Sequence, residues 1–167
     1  QVAKQMPDRK VTPDERAGAQ GLSAKAPQTW FSWNQAKAYS EAVGLRLPTE
    51  AEWERAARGP KSTTWPWGEA DPTHGLLNAS LDDKKSPGLA PVGEFKGRSA
   101  FGAYDMCGNA SEWVADWRDA ARDRRLFKGG SYRVPAEYCL PTKRGGGFPP
   151  DYAKRSELGF RVARSAH

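Results

Sequence analysis

Apolar positions along this chain fall into helical spacing in only two places. Trp33, Ala36, Tyr39 and Val43 share one face of a predicted helix. Ser32 stands where an N-cap belongs and Gly44 where a left-handed stop is wanted. Thr49 and Glu52 then form a T-x-x-E capping box just after Pro48. Trp53, Ala56 and Ala57 make the buried stripe of that second helix, and Gly59–Pro60 ends it. Strand-like patterns are short and scattered: Trp30 with Phe31, then Leu126, Phe127 and Tyr132, then Leu158 to Ala163. In the last, Phe160 and Val162 share one face, Arg161 and Ala163 the other. Gly129–Gly130 interrupts the middle run, which in a strand marks a bulge or a close backbone approach. With no βαβ rhythm, the predicted class is α+β.

Between these elements lie loops. Residues 1–26 are polar, with Pro7, Pro13, Gly18 and Gly21, and read as an extended arm or leader. Residues 27–167 form the domain. Trp65-Pro-Trp-Gly is a rigid aromatic turn. The loop from Gly75 to Val92 is long enough to be a functional loop or one held by an ion, with Asn78, Asp82 and Asp83 as candidate ligands. A solvated polar loop is the alternative.

The stretch FGAYDMCGNASEWVADW, Phe101 to Trp117, suits neither a helix nor a strand over its first dozen residues. Gly102, Gly108 and Asn109 tolerate positive φ and let the backbone curl its carbonyls inward. Asp105 and Glu112 beside such carbonyls suit an oxygen cage for a hard cation such as calcium. A tight loop pinned by Trp113 and Trp117 accounts for the same residues.

Composition narrows the classes. At 167 residues, with seven Trp, seventeen Gly and thirteen Pro, the chain suits one loop-rich, aromatic-anchored domain. No apolar run approaches the roughly 18 residues of a membrane span, and the first residues lack the apolar core of a signal peptide. The chain does not start with Met, so a trimmed product is compatible. A formal charge of +6 is scattered among acids, with clusters at Arg122–Arg125 and at Lys143–Arg144. With no accompanying motif, nucleic acid is disfavoured. Two cysteines, Cys107 and Cys139, are too few for a disulfide scaffold.

In order, RLPTEAEWERAARG, WPWG, APVG, FGAYDMCGNASEW, KGGSY and LGFRVA resemble the formylglycine-generating enzyme (sulfatase-modifying factor) family, from about Pro27 to Ala163. The resemblance implies a C-type-lectin-like fold stabilised by calcium and leans toward an extracytoplasmic setting. Carried across, its calcium loop falls on Asp105, Met106, Gly108, Ala110 and Glu112. Asp105 and Glu112 would give side-chain oxygens and the other three backbone carbonyls. A second site would begin at Asn78 and Ala79 and continue near Asp82, Asp83 or Ser86, in a loop that looks shortened.

The family's enzymes oxidise a substrate cysteine to formylglycine, using copper(I) held by two cysteines five residues apart after the GGS motif. Thiolates suit that soft ion. Here Val134 stands where the first cysteine belongs, and only Cys139 matches. Copper is therefore disfavoured, Cys107 reads as a small buried side chain, and the leading expectation is a non-catalytic binding or assembly domain. The oxidase, with Cys139 and Ser131, is the alternative. Non-haem iron relatives need three histidines, whereas this chain has His74 and His167. Sugar binding through an exposed calcium is disfavoured because the E-P-N tripeptide is missing.

Related lectin-fold proteins serve as variable proteins of diversity-generating retroelements and as accessory domains in bacterial complexes. In the former, the segment after GGS is the ligand face. On this chain it would hold Tyr132, Arg133, Glu137, Tyr138, Arg144, Phe148, Asp151, Tyr152 and Lys154. Half-buried tyrosines above a solvated loop are the alternative. The family's usual strands before Pro27 have no counterpart in the polar leader; either a shortened domain folds without them or, as the expectation, a protein partner supplies that surface.

Overall fold

The computed structural model describes residues 25–81, 84, 86 and 88–165. The leader up to residue 24, Asp82, Asp83 and His167 lie outside the described residues.

Helix α1, Trp33–Ala42, starts at Ser32 with a full capping box. The Gln35 N–H donates to Ser32 Oγ at 3.2 Å, and the Ser32 N–H to Gln35 Oε1 at 2.9 Å. Trp33, Ala36 and Ser40 are buried, and Ser40 satisfies its hydroxyl on the Ala36 carbonyl. Of the remaining predicted stripe, Tyr39 is half-buried and packs edge-on against Phe160, while Val43 is exposed. Helix α2, Glu50–Arg58, has the predicted Thr49–Glu52 box, acids in its first turn and arginines in its last, all favourable to the helix dipole. Gly44 and Gly59 take φ of 71° and 66°, which a side chain disfavours.

Three short strands form the sheet: β1, Ser111–Trp117; β2, Arg125–Lys128; and β3, Leu158–Phe160. Their order is β2-β1-β3, with β1 antiparallel to β2 and parallel to β3. The central strand is the core of the molecule, and Trp113 and Val114 are fully buried. Trp113 packs with Trp33, Ala36, Leu47 and Leu158, and Val114 with Trp53, Ala57, Met106 and Leu126. Indole N–H groups tie the helices to β1 and its neighbours: Trp33 Nε1 donates to the Val114 carbonyl at 2.7 Å, and Trp113 Nε1 to the Phe31 carbonyl at 2.8 Å. Such pairing is what a buried indole requires.

The strand predictions need three corrections. Trp30 and Phe31 form no strand, because Trp30 takes a φ of 65°, its N–H donating to the Arg155 carbonyl. Strand β2 stops before Tyr132, since Gly129 and Gly130 turn left-handed at φ 88° and 64°. Strand β3 ends at Phe160, and Ala163 makes only an isolated bridge to Arg46. The Trp65–Trp67 turn forms as predicted, its rings stacked 5.3 Å apart.

Candidate functional site

The oxygen-rich loop enters β1 through three residues in the left-handed region: Asp105, Gly108 and Asn109, at φ 55°, 79° and 60°. Asp105 Oδ2 accepts the Gly93 N–H at 2.9 Å. Burial raises the Asp105 carboxyl above the ordinary range, the Gly93 N–H opposes that, and the Glu112 charge adds to it. Glu112, on β1, is buried. Its carboxylate accepts a fork from the Arg161 guanidinium, with Nη2 at 2.6 Å from Oε1, and the Trp53 indole N–H at 2.7 Å. Asp105, Ala110, Glu112 and Arg161 together line one end of a cavity of about 770 Å³.

This set fits a hard cation in its donor chemistry. Among the described residues, no turn, loop or side-chain hydrogen bond uses the carbonyls of Met106, Gly108 or Ala110. A carboxylate offers about four lone-pair sites, so Asp105 and Glu112 both retain accepting capacity. Asn78 differs. Its Nδ2 donates to Gly88 and Asn109, its Oδ1 accepts from Ser86, and its carbonyl accepts the Asn109 N–H. Each of its oxygens already accepts one hydrogen bond, and the residue cross-links two loops. Ala79 is buried in an apolar cluster beside it.

Beyond β2 the chain builds a second cavity, of about 790 Å³, whose floor includes Ser111 and the glycines at 129, 130, 145 and 146. At two of these glycines a side chain is sterically barred: a Cβ on Gly130 would lie 2.6 Å from Cys139 Sγ, and one on Gly145 would collide with the Phe127 ring. Arg133, Tyr138, Arg144 and Lys154 of the predicted ligand face line this cavity. Tyr132 stands next to it, its hydroxyl accepting from Arg133 Nε at 2.9 Å. Glu137 and Asp151 are exposed and line no part of it. Phe148 and Tyr152 stack on each other, and Phe148 packs on the Trp113 cluster. Apolar side chains of that size gain more from the core than from water.

Ser131 and Val134 line the cavity, but neither cysteine does. Cys139 is fully buried, and burial pushes its thiol up to about 12, against smaller opposing backbone contacts from Ser131 and Gly108. Cys107 packs in the same cluster, where burial raises it well above the ordinary thiol value. A linear two-thiolate copper site needs paired, ionisable sulfurs at the cavity wall. With Val134 in the first position and Cys139 buried away from the cavity, the residues present do not supply the two-thiolate pair that copper(I) needs.

Sequence reasoning missed several side chains. Arg161 was placed on a strand face without its partner Glu112, 49 positions away. Lys128 is a lysine with no exposed side-chain surface, held 3.3 and 3.4 Å from Glu50 and Glu54 of α2. Arg125 lies between the Trp33 and Trp117 rings, 3.5 and 3.4 Å from their centroids. The usable signal was a basic residue at a strand position opposite a helix rich in acids or beside aromatic residues.

Residues 4–166 match the sulfatase-modifying factor enzyme 1-like domain family. The chain belongs to this family. It is 38% identical over 155 residues to Inactive C-alpha-formylglycine-generating enzyme 2 of Mus musculus, covering 84% of this chain and 49% of that protein. It is 39% identical over 169 residues to the formylglycine-generating enzyme of Mycobacterium tuberculosis, covering 81% and 56%. The chain thus spans about half the length of the curated relatives it matches. Treponema denticola variable protein 1 superposes with a TM-score of 0.71 at 23% identity, over 96% of this chain and 78% of that one, a likeness of fold. The α+β architecture is the C-type-lectin-like fold of the formylglycine-generating enzymes. Inactive and active members both resemble it, so sequence likeness alone does not assign activity.

Proposed function

We propose that this domain is a non-catalytic binding or assembly module of the formylglycine-generating enzyme family, with calcium clasped at Asp105–Glu112. The observation that carries the reading is the thiol pair: Val134 occupies one position, and Cys139 is fully buried and lines no part of the cavity. Catalysis by the family's copper chemistry needs both sulfurs as ligands. The cavity nevertheless persists, walled by arginine, lysine and tyrosine, residue types suited to holding another molecule. Asp105 and Glu112, with the carbonyls of Met106, Gly108 and Ala110, would hold the calcium and brace the loop entering β1. A protein is the partner class in this reading. No helix among the described residues is long and apolar enough to cross a membrane.

The second reading, a copper-dependent oxidase acting on a sulfatase cysteine, draws on the identity to the mycobacterial enzyme. One experiment separates them. The purified chain is titrated with copper(I) and then assayed with oxygen and a cysteine-containing sulfatase peptide. No stoichiometric copper and no aldehyde product are expected; tight one-to-one binding with oxygen-dependent turnover overturns the proposal.

A further inference from the structure

The cavity behind Gly129–Ser131 has a strong excess of positive charge. Arg133, Lys143, Arg144, Lys154 and Arg155 line it, against one carboxylate, Glu157; Lys128 borders it too, but its ammonium is buried against α2. Most of these cations have acids of their own. Lys128 faces Glu50 and Glu54, Arg144 lies 3.0 Å from Glu50, and Arg155 and Arg133 lie 2.9 and 3.7 Å from Glu157. Lys143 and Lys154 are exposed and have no acidic partner among the described residues. Glu157 is itself buried and further satisfied by Ser156 Oγ at 3.2 Å. The wall therefore neutralises its own carboxylate and keeps cations to spare.

We propose that this cavity binds an acidic peptide segment of a protein partner, with Lys143 and Lys154 as its principal charge contacts. The inference rests on the binding-module reading and names its ligand class. Three features favour a peptide over a single point anion. The cations rise from three separate segments, around Arg133, Lys143–Arg144 and Lys154–Arg155, which suits carboxylates spaced along a chain. The glycines at 129, 130, 145 and 146 leave that part of the lining without side chains. Tyr138 is 59% exposed and offers an aromatic face beside the charges. The volume, about 790 Å³, lies within the usual range of ligand sites. Unpaired lysines at a rim act mainly by steering and by complementarity, so binding will be salt-sensitive.

The test is fluorescence anisotropy with a labelled ten-residue Glu/Asp-rich peptide and its Gln/Asn counterpart, at low and moderate salt. The acidic peptide should bind at least tenfold more tightly than the amide one. Lys143→Glu with Lys154→Glu should weaken it at least tenfold. Lys61→Glu with Lys96→Glu makes the same charge change at exposed sites outside the cavity and should leave affinity within twofold. Equal losses from both double variants would reduce the effect to bulk charge and overturn the site, as would equal binding of the two peptides. Tripolyphosphate binding without peptide binding overturns it in favour of a phosphate ligand. Copper-dependent turnover, which sinks the non-catalytic reading, is measured separately and leaves this result standing.

Discussion

At the Asp105–Glu112 loop, the buried carboxylate is met by donors from its own chain: the Arg161 fork and the Trp53 indole on Glu112. In the cavity behind Gly129–Ser131 the balance is reversed, and Lys143 and Lys154 are exposed without an acidic partner among the described residues. Both regions flank β1, whose Glu112 is paired across the sheet with Lys128 on one side and Gly159 on the other. The difference separates charge that holds a fold together from charge left over for something else. Buried charge must be satisfied internally, because leaving it unpaired costs several kcal/mol. Rim charge carries little folding energy and is free to meet a ligand.

The largest expected effect breaks that contrast from the structural side. Glu112→Ala removes the acceptor of both Arg161 and Trp53 and leaves a largely buried guanidinium without its counter-charge. A loss of about 3–5 kcal/mol is expected in urea unfolding. Lys143→Ala and Lys154→Ala, in the same assay, should each fall within about 0.5 kcal/mol of the parent. A cavity lysine that destabilises as much as Glu112→Ala would erase the distinction between the two regions.

Next in size is the cation. If calcium occupies the loop, saturating it at about a hundredfold over its dissociation constant adds about 2.7 kcal/mol. The melting temperature should therefore fall on addition of a calcium chelator and recover when calcium is restored. Asp105→Ala, which removes one of the two carboxylates, should abolish that response. An identical melt with and without chelator would leave the loop as an Arg161-clasped turn and nothing more.

How far these regions were legible in the sequence follows from the range of the interactions that build them. Both capped helices were readable because Ser32, Thr49 and Glu52 act within three residues, and the stops at Gly44 and Gly59 are local conformational needs. The curl of the oxygen-rich loop was readable for the same reason, from Gly102, Gly108 and Asn109. Residues brought together by long separations were not. Arg161 reaches Glu112 across 49 positions and Lys128 reaches Glu50 across 78, and neither side chain announces a partner in its own neighbourhood. Of the residues assigned to a ligand face, Arg133, Tyr138, Arg144 and Lys154 line one cavity, whereas Phe148 and Tyr152 stack on each other in a contact that only the folded chain reveals. Local pattern likewise suggested a strand at Trp30–Phe31, where the left-handed turn of Trp30 decides otherwise.

The smallest effect sharpens the comparison by repeating the clasp's chemistry in water. Arg46 also grips Glu52 with two prongs, through Nη1 and Nη2 at 2.6 and 2.7 Å where Arg161 uses Nε and Nη2 on Glu112, but both side chains are well exposed. The Arg46 hydrogen bonds, helped by the Thr49 N–H, hold the Glu52 carboxyl at about 2, against an ordinary 4.5. A carboxyl lowered on folding stabilises above its unfolded value and loses that contribution as protons bind the folded form. The Glu52 contribution should therefore be full above pH 4.5 and vanish as pH falls toward 2. Urea midpoints of the parent and Glu52→Gln, followed from pH 6 to 2, should converge over that window. Exposed charges are screened by salt and buried ones much less, so 1 M salt at pH 7 should narrow the gap at Glu52 while the Glu112→Ala loss persists. If salt narrows both gaps alike, the two forks do not differ in burial and the loop does not earn its place as the molecule's internal clasp.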